Sequence, residues 1–502
     1  MKSQIKSGAI LSYLNMFVGL AVTVFYTPFM LKFMGQNEYG LYSLVTSVIA
    51  YLSVLDMGFG NAMIRFVAKN QAHGDNKKIR DINGVFLLLY ILVGVVSLVI
   101  GSIIFINIDN LFGASLSPDE LAKTKVIALI LVATVSLSFP LSIFDSYAVA
   151  SERFNYLKIL EIIKHLAIPA VMIPILFMGG KSISMVIVTS VITLGFHIIT
   201  MYYCFRKLKM RVAFKIRGVD KTLLKTIAFY SFWVFLGIIV DNLYNNTDQV
   251  ILGGICGTSV VAIYAIAAKI SSVNMNFSTA ISGLFLPKIA KTLEHDDGDK
   301  KVSDIFIQVS RLQLYLMALV LSGFIVFGRA FISLWVGAEY LDAYYIVLLL
   351  IAPALIPLTQ NICISIIQAK NKHQFRAVVY LIIAIINIAV SIPLAVKFGG
   401  IGAAIGTAAA NVLGQIITMN LYYWKKIGID IPRYWKNFLK FGAPVAALSC
   451  VTMFIVNNIV FSWLKLLIAV LIYGAAYMCI VAFFSNQYER SLFKKIVRFK
   501  KK

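Results

Sequence analysis

Charge is what this chain has least of. Only 14% of its 502 residues are Asp, Glu, Lys or Arg, against 60% hydrophobic ones. That balance excludes an ordinary soluble globule, in which about a quarter of residues are charged. Cysteine is also sparse: Cys204, Cys256, Cys363, Cys450 and Cys479 stand singly, with no CxxC pair and no metal-type spacing. They read as small apolar packing residues. The five histidines, His73, His165, His197, His295 and His373, are equally dispersed, so no metal cluster is expected. The glycines between 399 and 414 are followed by no Walker-type Lys-Ser/Thr, so no ATP site is expected, and no cofactor is implied. Alternation of apolar and polar residues is missing from stretches such as 85–106 and 377–396, which excludes a transmembrane β-barrel.

What is present is a succession of long apolar runs. A hydrocarbon core about 30 Å thick needs roughly 20 apolar residues per helical span. Fourteen stretches qualify: 9–33, 40–66, 83–106, 124–150, 156–178, 183–204, 225–252, 259–287, 303–328, 343–368, 376–396, 400–424, 438–460 and 463–485. The expected fold class is therefore an all-α integral membrane protein with about 14 transmembrane helices. Lys2 and Lys6 precede an apolar stretch too long for a cleaved signal, and no small-x-small cleavage site follows, so the first helix is expected to be retained.

The charge that does exist is lopsided, 46 Lys and Arg against 22 Asp and Glu, for a net +24. Nucleic-acid binding is one reading of such an excess, but its placement argues against that partner. With both termini cytoplasmic, about 37 of the 46 basic residues fall in inside segments, including 206–225 and 490–502, and about seven fall outside. One missed helix would invert every later loop, so the bias supports the even span count and the orientation together. Anionic inner-leaflet lipid is the neighbour this implies. Outside loops are short, the longest near 107–123, which weakens a reading as a membrane polymerase or glycosyltransferase, whose catalytic groups usually sit on substantial loops.

Sliding the second half over the first reveals a repeat of about 220 residues. Met34-Gly35-Gln36 falls on Cys256-Gly257-Thr258 and Tyr42 on Tyr264, with Ala68-Lys69 on Ala290-Lys291 in the same register. After a gap of a few residues, Ala150-Ser151-Glu152-Arg153 meets Ala369-Lys370-Asn371-Lys372, and Ile173-Pro174 meets Ile392-Pro393. Each half holds six helices, an even number, so the halves are parallel repeats. The domains expected are an N-terminal lobe at 1–210, a C-terminal lobe at 211–430, and two further helices with a basic cytoplasmic tail at 431–502.

The stretch Phe33-Met34-Gly35-Gln36-Asn37-Glu38-Tyr39-Gly40-Leu41-Tyr42, continued by Leu55-Asp56-Met57-Gly58-Phe59-Gly60-Asn61-Ala62 and Arg65, resembles the second-helix signature of oligosaccharide flippases. Asp248-Gln249-Val250-Ile251-Leu252-Gly253 leading to Tyr264 is similar in kind. The family resembled is the Wzx-type polysaccharide exporter branch of the multidrug/oligosaccharidyl-lipid/polysaccharide (MOP) superfamily. The resemblance implies two six-helix lobes in a MATE-like fold and two added helices. It implies alternating access around a central cavity that carries a polyprenyl-diphosphate-linked glycan while the lipid tail stays in the bilayer. It also implies a bacterial cytoplasmic membrane and, as partners, the polysaccharide polymerase and assembly machinery. A cation-coupled drug or metabolite antiporter of the same superfamily is the main rival. Span one, however, carries no acidic residue where many such antiporters have one. A polymerase or a scaffold without transport activity are the remaining alternatives.

Ionisable groups inside spans are costly and therefore informative. Lys269 lies near mid-depth in span eight, as a phosphate or sugar-acid contact, or as a structural partner of Asp241 in span seven. Asp241, Asn245 and Asp248 share an i, i+4, i+7 face, widened by Asn242 and Asn246. That face should line water. Its acids, Asp241 and Asp248, are candidates for binding a coupling cation or proton, although Asp248 also reads as a cap at the outer end. Arg65, toward the cytoplasmic end of span two with Asp56, has a forked donor set suited to diphosphate and an equal claim as a positive-inside anchor. Lys164 is a further cavity candidate, but it lies three residues from Glu161 and can pair with it instead. Asp145 reads as interfacial, and the acidic run at 294–299 as a solvated connector.

Overall fold

The computed structural model describes the chain except at Met1, 214–220, 283–284, 294–297, Asn371, Asn458, Tyr488 and 491–502. Most of the acidic run at 294–299 and of the basic tail at 490–502 therefore lies outside the described residues. Among the described residues every regular element is helical. In order these are α1 (Lys2–Met34), α2 (Gln36–Ala50), α3 (Phe59–Ala72), α4 (Asn76–Ile106), α5 (Ile108–Phe112), α6 (Pro118–Ala150), α7 (Phe154–Phe177), α8 (Ser182–Arg206) and α9 (Lys221–Ile255). There follow α10 (Thr258–Ser282), α11 (Leu286–Leu293), α12 (Gly298–Trp335), α13 (Asp342–Thr359), α14 (Ile362–Ala369), α15 (His373–Asn411), α16 (Met419–Tyr422), α17 (Ile431–Val456) and α18 (Trp463–Phe484). Twelve helical stretches are long and apolar enough to cross a membrane among the described residues. One of them, Gln374–Ile427, covers both expected spans 376–396 and 400–424 and turns at Gly399, where φ is +58°. Expected span seven falls on α9.

Backbone detail repeats along the chain. Gly35 between α1 and α2 has φ +85°, and Gly257, 222 residues later between α9 and α10, has φ +83°. Both turns need the left-handed region that glycine enters without steric cost. Gly179 and Gly399, also left-handed, fall 220 residues apart.

Contacts group Met1–Ala265 and Ile266–Lys502 as two compact units. In the first, α4 packs along α6, α6 along α8 and α1 along α7, while α9 lies against α2. Apolar contact drives association little when the surrounding solvent is itself apolar, so close approach of backbones matters more. A Cβ on Gly94 would stand 2.7 Å from the Ser136 carbonyl oxygen, and one on Gly101 would stand 2.4 Å from Val132. Outward-facing Leu92, Val95, Val99 and Ile103 of α4 are exposed, as a lipid-facing surface requires. Asp75 caps α4 by accepting the Lys78 N–H at 3.0 Å, a bond that, with the Lys78 ammonium, holds its carboxyl below the usual carboxylate range.

In the second unit, α17 and α18 pack on α12 through Leu314, Tyr315, Ala318, Phe441, Val445, Tyr477 and Val481. The Gly402/Gly406 pair serves close packing: a Cβ at 402 would lie 2.0 Å from the Leu394 carbonyl oxygen, and one at 406 would lie 2.2 Å from Ser391 Oγ.

Candidate functional site

Span two is not one helix. After α2 the chain tightens into a 3₁₀ turn over Tyr51–Asp56, passes through left-handed Met57 (φ 49°) and Gly58 (φ 70°), and restarts as α3. Asp56 fastens the break. Its carboxylate accepts the Gly58 backbone N–H, just ahead of the new helix, and the Tyr90 hydroxyl of α4. A Cβ on Gly60 would lie 3.0 Å from Ser146 Oγ and 3.3 Å from Tyr90 Oη, so the crossing leaves little more than room for a glycine. The break thus explains Asp56-Met57-Gly58-Phe59-Gly60 as a backbone device. It also turns Asn61 and Arg65, four residues apart, onto the exposed side of α3.

On α9 the polar face divides. Asp241 and Asn245 are exposed, and the Asn245 amide donates to the Asp241 carbonyl oxygen at 2.7 Å. Asn242, half-buried, donates to the Ile238 carbonyl oxygen at 3.1 Å and accepts from Asn246 at 3.1 Å. Asp248 shares their face by angle but is only 4% exposed, and the Tyr264 hydroxyl of α10 donates to its carboxylate. Next to it, Thr247 and Tyr51 share a hydroxyl hydrogen bond of 2.5 Å. Asp241 and Asn245 both sit well inside a 35-residue helix, where hydrocarbon beside such groups is costly. Lys269, half-buried on α10, belongs to the second unit, whereas Asp241 belongs to the first.

A second polar group occupies the end of the first unit where α6 and α8 finish and α7 begins. His197 Nδ1 of α8 lies 2.8 Å from Asp145 Oδ2 of α6. On α7, Glu161 binds Lys158 Nζ at 2.7 Å and the Asn15 amide of α1 at 2.7 Å. Those bonds occupy Glu161 where pairing with Lys164 was the expectation. Both i, i+3 neighbours are in reach of Glu161, and the bond forms to Lys158. Lys164 is half-buried and feels the charges of Asp145 and Glu161. Asp145 is thus partnered within the helix bundle rather than merely interfacial. No spacing signal links Asp145 to His197, 52 residues apart on different helices.

At the opposite end of the unit, a ladder of polar contacts escaped sequence reading. Glu38 accepts from Lys123 Nζ at 2.8 Å and from the Ser182 hydroxyl and backbone N–H, and Lys123 also binds Asp119 at 2.7 Å. Glu120 completes a capping box with Ser117 and accepts the Thr258 hydroxyl at 2.6 Å. The Gln36 amide donates to the Ser259 carbonyl oxygen at 3.3 Å, and the Ser115 hydroxyl to that of Gly253 at 2.5 Å. In the second unit, Arg311 Nε donates to Glu489 Oε1 at 2.7 Å, and its NH2 group donates to Tyr315 Oη at 2.7 Å and to the Phe484 carbonyl oxygen at 2.8 Å. Among the described residues no group of three or more His, Cys, Asp or Glu could hold a metal.

Residues 5–293 match the family described as "Polysaccharide biosynthesis protein". A "Putative O-antigen transporter" of Shigella flexneri is 22% identical over 404 residues, covering 78% of this chain and 92% of that protein. A "Probable flippase AglR" of Haloferax volcanii is 30% identical over 210 residues, covering 40% of this chain and 43% of that one. Among solved structures, "Lipid II flippase MurJ, inward closed conformation" aligns with a TM-score of 0.71 at 17% identity, over 95% of this chain and 98% of that one. A "multidrug resistance MATE family transporter of the MOP superfamily" in its inward-facing conformation aligns at 0.66 and 13% identity, over 82% and 98%. At those identities the structural likeness establishes the fold.

Proposed function

Since the chain belongs to the polysaccharide biosynthesis protein family, we propose that it is a flippase for lipid-linked glycans. It carries undecaprenyl-diphosphate-linked oligosaccharide units from the inner to the outer leaflet of the bacterial cytoplasmic membrane, with both termini cytoplasmic. The observation that carries the reading is the exposed polar stripe of α9, Asp241 and Asn245, together with Asn61 and Arg65 on α3. A glycan needs amide and carboxylate partners for its hydroxyls, and a diphosphate needs a guanidinium fork or ammonium groups. A protein that moved only apolar molecules would have no use for such residues within its spans, where each is costly. The names borne by the relatives, an O-antigen transporter and a flippase, support the same reading.

The work of the protein is to replace water around the head group during its crossing. Arg65, near the inner end of span two, receives the diphosphate; Asn242, Asn245, Lys164 and Lys269 supply further donors; Asp241 accepts from sugar hydroxyls. The lipid tail stays in hydrocarbon throughout. Alternating access moves lobes 1–210 and 211–430, with 431–502 as an appendage. No bond is made or broken in the cargo, and the polymerase that consumes the flipped unit is the downstream partner.

The MATE likeness favours a second reading, a cation-coupled antiporter for drugs or metabolites, in which Asp241 and Asp248 bind the cation. Depletion of the protein separates the two. Cytoplasmic-face accumulation of the lipid-linked oligosaccharide, reversed by wild type but not by Arg65→Ala at matched expression, is the expected result. An unchanged lipid-linked pool with lost resistance to cationic dyes supports the antiporter and overturns the flippase.

A further inference from the structure

We infer that Asp145 and His197 form a proton-binding site that couples transport to a proton gradient; the inference rests on the flippase reading and supplies its energy source. His197 Nδ1 and Asp145 Oδ2 lie 2.8 Å apart, with side chains 21% and 35% exposed. A carboxylate only accepts, so Nδ1 carries hydrogen and donates it, and the exchangeable proton enters and leaves at Nε2. Imidazole can take up and release a proton at one ring nitrogen while the other keeps its hydrogen bond.

Several charged and titratable groups surround the pair. Asp145 acts electrostatically on Lys164 and Tyr156 of α7 and on Cys204 of α8. Glu161 is bonded to Lys158 and to Asn15 of α1, and His165 of α7 faces Gly19 of α1. Arg65 of α3, a helix that packs on α6, is exposed. Carboxylates Asp145 and Glu161 balance ammonium groups Lys158 and Lys164 when His197 is neutral. Adding a proton at Nε2 raises the charge of this group by one unit among α6, α7 and α8, three helices that pack on one another. A change of one unit of charge in a half-buried setting biases which packing those helices prefer, and by reciprocity the packing biases proton affinity. A structural tie between α6 and α8 needs only a hydrogen bond, which an amide in place of imidazole can also make. Transport readouts therefore separate the two roles.

The test uses the full chain purified into proteoliposomes with a fluorescent polyprenyl-diphosphate oligosaccharide, with and without an imposed gradient of one pH unit. With one proton per cycle, the steady-state ratio of lipid between leaflets shifts by up to about tenfold per pH unit in wild type. His197→Gln keeps gradient-free flipping and loses the shift, and Asp145→Asn, a second variant should the first fail to fold, loses it too. Wild-type flipping indifferent to the pH gradient, or driven instead by a sodium gradient, overturns the inference while leaving the flippase reading intact. A His197→Gln protein with the full wild-type shift overturns it as well. Wild type that conducts protons but moves no glycan removes the flippase reading on which the inference rests.

Discussion

Gly40 meets Thr258 backbone to backbone: a Cβ at position 40 would stand 1.8 Å from the Thr258 carbonyl oxygen. The contact lets α2 lie flush against the start of α10, where the Glu120–Thr258 and Gln36–Ser259 hydrogen bonds close the same seam. Transport that exposes this end of the unit must open it.

Gly40→Ala should therefore pry the seam apart. Overpacking of this kind costs about 1–3 kcal/mol, and the variant should melt earlier in detergent. A cysteine placed at Ser259 should react faster with a membrane-impermeant thiol reagent in the Gly40→Ala background than in wild type. Equal reactivity in both would show that the close approach does not hold the seam.

The two aspartates of α9 should fail in different ways. Asp248 is buried under Tyr264, so Tyr264→Phe removes a donor from a buried carboxylate and should destabilise by about 1–3 kcal/mol. Asp241 is exposed, so Asp241→Asn should leave the melting temperature within experimental error and slow flipping. Melting curves and flipping rates on the same preparations check both. A stable Tyr264→Phe, or an Asp241→Asn that flips at the wild-type rate, would contradict this division.

Glu489 is fully buried against Arg311, and Glu489→Ala leaves the guanidinium without its carboxylate. A loss of about 3 kcal/mol is expected, since breaking one side of a buried pair costs more than removing both. The double variant Arg311→Met with Glu489→Leu should recover much of it. Thermal unfolding of the three proteins measures the difference.

Arg65→Lys should keep the charge but lose the fork. Flipping should fall less than with Arg65→Ala, and the residual rate should show as weaker apparent affinity for the diphosphate lipid. Equal rates for the two variants would mean that charge alone matters at this position.

How much of this was legible in the sequence depended on whether a feature is local. The apolar runs announced the helices because length and hydropathy suffice to require them. The paired turns at Gly35 and Gly257 were visible in the repeat, since a left-handed position leaves a glycine wherever it recurs. The break at Asp56-Met57-Gly58 was written in the span-two signature, yet its meaning as a helix restart needed Tyr90 on another helix to be seen. The i, i+4 spacing grouped Asp241 and Asn245 on one face of α9, and both are exposed. At Asp248, helical angle alone could not tell that the side chain is buried and bonded to Tyr264 of α10. The pairs Asp145–His197 and Arg311–Glu489 join residues far apart in the chain, and no periodicity encodes them.

The most direct test is reconstitution. The purified chain is placed in vesicles containing a fluorescent polyprenyl-diphosphate oligosaccharide, and a membrane-impermeant quencher reports how much of it stands in the outer leaflet. The account predicts that fluorescence inaccessible in protein-free vesicles becomes accessible with wild type, and more slowly with Arg65→Ala. Inner-leaflet lipid that stays protected at the protein-free rate, in vesicles shown to contain folded protein, would contradict it.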